Sequence, residues 1–374
     1  MAGIYLHIPF CRNSCNYCDF HFTIDPRRSK EVIMAMAREI SLRKEYLGEM
    51  EIGTIYFGGG TPSFVKKELI NILLEAIWSN FKISKNSEIT LEANPEDLNA
   101  GYLSDLLKMG INRLSIGIQS FFDDDLKFMN RAHNAEQAKR SINEARQAGF
   151  KNINLDLIYG FPGLTDKKWI TNIETVVDFH VEHLSAYHLT YEPSTVLYYR
   201  KIKNKISEIG EKDSVRQFSK LCEKMKIAGY IHYEISNFAI DGFYSWHNSG
   251  YWKQVPYVGI GPSAHSYNGK TRQWNFPRNM SYIKGINNNE DFYETEVLDQ
   301  TASYHDYVMT TLRTIWGTDE RYILKEFGQH FHDHFIKNIT RFVTSGDLIL
   351  KDGKYYLTDR GMLISDFIIK QLFI

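Results

Sequence analysis

"IYLHIPFCRNSCNYCDF", Ile4–Phe20, is the stretch from which the rest of the chain can be read. Its first part, Ile4–Phe10, is a β-rich apolar run and predicts a strand. Three of the four cysteines follow at once, Cys11, Cys15 and Cys18, spaced C-x3-C-x2-C. Thiols directly after a first strand stand at its carboxyl end, where α/β barrels and open parallel sheets bind ligands. Two donor sets are compatible with them. One is a structural zinc with a fourth ligand from His7, His21 or Cys222. The other is a cubane iron–sulfur cluster whose fourth iron has no protein thiolate and stays open to a small chelating molecule.

Working outward, β-rich runs recur at Thr54–Phe57, Ile89–Glu92, Leu114–Ile118, Ile153–Ile158 and Leu184–Leu189. Helical apolar spacing fills the gaps, over Lys30–Leu47, Lys66–Phe81, Tyr102–Met109, Ala135–Ala148 and Asp166–Phe179, with Gly149 as a stop. This alternation predicts an α/β fold with a parallel sheet and right-handed crossovers. Periodicity alone does not say whether the sheet closes into a full or a partial barrel. The strand ends carry Gly58-Gly59-Gly60-Thr61, Glu92-Ala93-Asn94-Pro95, Gln119-Ser120, and Asp156 with Tyr159-Gly160. Turn chemistry accounts for the glycines and Asn94. It accounts poorly for Glu92, Gln119 and Asp156, which lie in or beside apolar runs and need partners if buried. The strand ends therefore predict one shared site.

From about Ile202 the pattern changes. Glu211–Ala228 predicts a helix, and Tyr244–Tyr267 is aromatic and glycine-rich with little periodicity. Thr301–Ile374 predicts an appended unit, with helical stretches at Tyr304–Ile315, Ile323–Phe327 and Phe335–Thr344. A hairpin, "LILKDGKYYLT", turning at Asp352-Gly353, and a closing helix Gly361–Leu372 complete a winged-helix-like order. The division expected is 1–200, 201–300 and 301–374. A net charge of −1 gives no basic footprint for nucleic acid, so the last unit is expected to serve as a lid or partner surface. No apolar run approaches the ~18 residues of a membrane span. No signal peptide is visible, and clustered cysteines do not resemble a secreted disulfide framework, so a cytosolic protein is expected. No amphipathic basic helix supports peripheral membrane contact, which stays open together with dimerisation. The run His330, His332, His334 is expected on a solvated helix face, and Cys222 as a buried small hydrophobe.

Cys11-x3-Cys15-x-Tyr17-Cys18 is a C-x3-C-x-aromatic-C signature, and "GGGTP", Gly58–Pro62, reinforces it. In both, the chain resembles the radical S-adenosylmethionine (SAM) superfamily. "YFGGGTPS", "LEANPEDL", "GINRLSIGIQSF", "NLDLIYGFPG" and "HNSGYW" extend the likeness to the oxygen-independent coproporphyrinogen III oxidase family. Within it, Phe20 replaces a cysteine that the oxidases carry, and the first strand starts at Ile4 without their preceding segment; both point to the haem-chaperone branch.

The resemblance implies a partial six-strand βα barrel of TIM-like type with a mostly helical C-terminal domain. It implies a 4Fe-4S cluster on Cys11, Cys15 and Cys18, and SAM beside Tyr5, Tyr17, Gly59, Gly60 and Thr61. It places Glu92, Gln119, Arg131 and Asp156 as polar contacts to SAM, and His247 of "HNSGYW" as candidate ligand of haem b, carried as cargo. His265 is a second candidate, nearer SAM. Without the resemblance Arg131 would read as a surface ion pair worth ~0–1 kcal/mol. Partners implied are acceptor haemoproteins and, if SAM is cleaved, an electron donor. No catalytic residue is assigned. A radical enzyme that abstracts hydrogen from a coproporphyrinogen III propionate is the alternative. A zinc-stabilised binding module would explain the cysteines but not the strand ends.

Overall fold

The computed structural model describes all 374 residues, Met1–Ile374. Strand β1 (Ala2–Ile8) is buried at every position except the partly open Tyr5. A strand covered on both faces needs helices outside and filled space inside, the environment of a parallel α/β sheet. Strands β2 (Ile52–Gly59), β3 (Ile83–Ala93), β4 (Arg113–Gln119), β5 (Ile153–Tyr159) and β6 (His183–His188) follow, each parallel to the one before. Helices α1 (Ser29–Leu42), α2 (Lys67–Asn80), α3 (Ala100–Lys108), α4 (Asp123–Phe128), α5 (Ala135–Ala148) and α6 (Asp166–Asp178) make the crossovers.

The expected helix α5 has the observed bounds because both ends are written locally. Asn134 and Gln137 form a reciprocal capping box, and Gly149 closes the helix at φ 112°. The expected helix Lys30–Leu47 breaks at Leu42, and a 3-10 turn takes Lys44–Leu47. There Arg43 turns inward to Ser266 and Gln273 rather than continuing the helix surface.

The sheet extends beyond the six strands. Strand β9 (Tyr257–Ile260) lies parallel to β1 on its other side, and β10 (His265–Tyr267), β11 (Thr271–Asn275) and β12 (Tyr293–Val297) continue it antiparallel. At the far edge β6 pairs antiparallel with β8 (Asn237–Ala239), and β8 with β7 (Ile231–Glu234). The order β12-β11-β10-β9-β1-β2-β3-β4-β5-β6-β8-β7 is open, a partial barrel with antiparallel flanks.

Past the helix Gln300–Leu312, two helices, Glu320–Phe327 and Gln329–Thr344, precede a hairpin of β14 (Leu348–Lys351) and β15 (Lys354–Leu357). With β13 (Thr318–Asp319) these form a separate three-stranded sheet. One core of 62 buried residues runs from Ala2 to Phe292, and a second of 15 from Tyr304 to Leu372. The two are tied by the Arg272–Asp306 ion pair, by Ile315 N–H donating to Tyr233 O at 3.0 Å, and by Lys253 over the Trp316 ring. No helix is long and apolar enough to cross a membrane.

Candidate functional site

The carboxyl ends of β1–β6 surround a cavity of about 380 Å³. Cys11, Cys15, Cys18, Tyr17, Gly59, Gly60, Thr61, Glu92, Gln119, Arg131 and Asp156 all line it. The glycine run is there for close approach. Gly59 sits at φ 102°, and a Cβ on it would fall 2.7 Å from the His7 ring. A Cβ on Gly60 would fall 2.7 Å from Ile8 O. Gly60 N–H donates to Ile8 O at 2.9 Å and Thr61 N–H to Phe10 O at 2.8 Å, which seats the loop after β2 against the approach to Cys11. Thr61 Oγ1 then donates to Cys11 Sγ at 3.5 Å.

The cysteine loop is held from the other side by the segment around α4. Asn16 Nδ2 donates to Phe128 O and Asn130 Nδ2 to Ser14 O, both at 2.7 Å. Arg131, next in the chain, is no surface ion pair. Its Nη1 reaches Cys15 Sγ at 3.3 Å and Tyr17 Oη at 3.4 Å. Its Nη2 donates to Asn94 Oδ1 at 2.6 Å and Gly117 O at 2.9 Å. Its Nε is buried with no partner. Burial pushes the Cys11 thiol up to about 11 and Cys18 up to about 12, so both are neutral until a metal displaces their protons.

Three thiols lining one cavity are the donor chemistry of a three-thiolate cluster, and no three His, Cys, Asp or Glu side chains are gathered to hold a single metal ion. The fourth ligands that a closed zinc site would need are engaged elsewhere. His7 Nε2 bonds His21 O at 2.8 Å and His21 Nε2 bonds Asn279 Oδ1 at 2.9 Å. Cys222 lines a different cavity, 3.8 Å from His232 Nδ1.

Two carboxyl groups face the cavity. Glu92 accepts from Tyr56 Oη at 2.8 Å, and burial pushes it up to about 7. Asp156 accepts from Asn154 Nδ2 at 2.7 Å and Ser115 Oγ at 3.3 Å, and burial raises it too. Gln119 occupies φ 67° at a register shift in β4, a left-handed position that turns its amide inward at a cost in strain. The sequence reading missed Ser115, Tyr187 and His188, which also line the cavity, and took Asn94 for a turn residue. Period two from Gln119 back through Gly117 would have found Ser115.

Two expected site residues lie elsewhere. Tyr5 points into the barrel, its hydroxyl 3.2 Å from His7 Nδ1. His247, in the helix Trp246–Trp252, is 3% exposed with both ring nitrogens engaged, Nδ1 by Thr54 Oγ1 at 2.8 Å and Nε2 by Tyr251 Oη at 2.7 Å. Burial lowers its pKa to about 3, so the imidazole is neutral. It lines a second cavity of about 290 Å³ at the opposite, N-terminal mouth of the barrel, with Gly3, Trp246 and Tyr257. His265 lines neither cavity. His334 Nε2 lies 3.1 Å from Phe373 O, so the histidine run is partly used in closing the chain's end.

An open βα barrel with three thiols after its first strand and a glycine run after its second is the architecture of a radical SAM protein. The sequence profile of the radical SAM superfamily matches residues 5–176. "Heme chaperone HemW" of Bacillus subtilis (strain 168) is 33% identical over 369 residues, 98% of this chain and 97% of its own. "Heme chaperone HemW" of Mycobacterium tuberculosis (strain H37Rv) is 34% identical over 287 residues, 75% of this chain and 73% of its own. The solved coproporphyrinogen III oxidase (HemN) from Escherichia coli superposes with a TM-score of 0.85. It covers 99% of this chain and 89% of its own at 22% identity, a likeness of fold. The chain belongs to the HemW family. Its radical SAM fold implies SAM and an iron–sulfur cluster as cofactors.

Proposed function

We propose that the protein is a cytoplasmic haem chaperone on a radical SAM scaffold, receiving haem b and delivering it to acceptor haemoproteins. The observation that carries this reading is full-length similarity to a haem chaperone, 33% identity over 98% of the chain. Phe20 supports it: at the position of the oxidases' extra cysteine it stands 66% exposed on the rim of the larger cavity.

In this reading Cys11, Cys15 and Cys18 hold a 4Fe-4S cluster. Bound there, the cluster would supply an iron without a protein thiolate for the amino and carboxylate groups of SAM and, if SAM is cleaved, the electron for that step. Arg131 and Thr61 place N–H and O–H donors beside the sulfurs. Gly59 and Gly60 let the loop after β2 close against the His7 ring and the backbone of Ile8 and Phe10 at the cavity wall. Glu92 and Asp156 present acceptors for the hydroxyls of a ribose, and Gln119 presents an amide for an adenine edge or a carboxylate. Residues 1–200 form the barrel, 201–300 complete it and carry "HNSGYW", and 301–374 offer a partner surface.

His247 is the haem ligand in this account. Its neutral imidazole is the form that binds iron, and it ligates by giving up Tyr251. Trp246, 50% exposed at the same mouth, offers a face for the porphyrin. Haem titration of the anaerobically reconstituted protein should give a Soret shift that weakens in His247→Ala. An unchanged spectrum in that variant removes His247 as ligand.

A further inference from the structure

A single strand connects the two cavities. On the inward face of β2, Thr54 bonds His247 Nδ1 at 2.8 Å, and Tyr56 follows two residues on. The Tyr56 ring lies against the His247 imidazole, centroids 5.1 Å and planes 24° apart. Its hydroxyl donates to Glu92 Oε1 at 2.8 Å. At 7% exposure, burial keeps Tyr56 a neutral phenol, so it acts as a donor. One side chain therefore touches both the carboxyl group of the SAM cavity and the candidate haem ligand.

We propose that Tyr56 is a positioning residue that couples the two cavities, so that SAM at Glu92 tightens haem binding at His247. This rests on the haem and SAM reading given above. A ligand hydroxyl donating to Glu92 competes with the Tyr56 hydroxyl for the same carboxyl group. Once that bond weakens, the Tyr56 ring is free to shift. It packs between Tyr5, at 6.1 Å, and His247, and close-packed rings move together. A looser ring lowers the cost of turning His247 away from Tyr251 towards iron. Linkage requires the reverse effect at the same factor: haem tightens SAM.

The test is haem titration of the reconstituted protein with and without saturating SAM, for wild type and Tyr56→Phe. In wild type SAM should lower the haem Kd by about fivefold or more, the lower end of measured couplings, and haem should lower the SAM Kd equally. In Tyr56→Phe, which keeps the ring, both factors should fall to near one, with circular dichroism confirming the fold. An equal or weaker haem affinity with SAM in wild type overturns the proposal, and so does coupling that survives intact in Tyr56→Phe. A wild type that binds SAM but gives no Soret shift overturns the haem reading itself, and the coupling with it, so the two failures are distinct.

Discussion

Glu92 sets stability against use. Folding raises its carboxyl from 4.5 to about 7 through burial, so between those values the folded chain holds a proton that the unfolded chain has lost. The stability this gives is complete below pH 4.5, falls as pH rises, and is gone above about 7. Glu92→Gln should therefore stabilise the ligand-free protein by about 1–3 kcal/mol at pH 8 and little at pH 4. It should also weaken SAM binding; melts at the two pH values and a SAM titration check both halves. Gln119 shows the same trade in backbone form. Gln119→Gly, removing a side chain from φ 67°, should gain about 1 kcal/mol in denaturant unfolding and lose SAM affinity. The thiols, the strand-end carboxyl groups and the glycine run were legible because each is contiguous in sequence with a strand. The engagement of His247 by Thr54 was not, since it joins positions far apart in the chain. Neither was the bond from Arg131 to Asn94.

Elements were legible where burial repeats over enough residues to show a period. The parallel strands read as apolar runs where they are covered on both faces, as at Ile89–Leu91 of β3, and not where they are open, as at Lys85 and Asn86 of the same strand. Strands β7–β12 are three to five residues long, too short for a period of two to stand out, and were missed. Helix α4 has six residues and opens with Asp123-Asp124-Asp125, acidic groups that suit a helix N-terminus but leave too short an apolar pattern to read. Turn chemistry was decisive at Asp352-Gly353, where φ is 53° and 75°, a hairpin turn that needs both residues left-handed. Gly353→Val should cost about 1–2 kcal/mol in denaturant unfolding, with iron content unaltered, since the hairpin lies in the second core.

At the scale of the molecule, the open sheet places two cavities at opposite mouths of one barrel, with polar side chains between them. The sequence predicted one shared site at the carboxyl ends, and the structure brings those residues together. It could not place "HNSGYW", because a helix of seven residues packed under the barrel has no periodic signature. Cluster assembly has a global consequence. Two thiols held at about 11 and 12 must lose protons to bind iron, so reconstitution should acidify a weakly buffered solution. The product should carry about four irons per chain and melt higher than the metal-free chain. Stoichiometric zinc without iron would contradict both expectations. In the proposed function this scaffold carries haem rather than converting a porphyrinogen. The most direct test is anaerobic incubation of the reconstituted protein with coproporphyrinogen III, SAM and a reductant. Coproporphyrinogen III should be recovered unchanged; protoporphyrinogen IX formed with stoichiometric SAM cleavage would make the protein a radical enzyme instead.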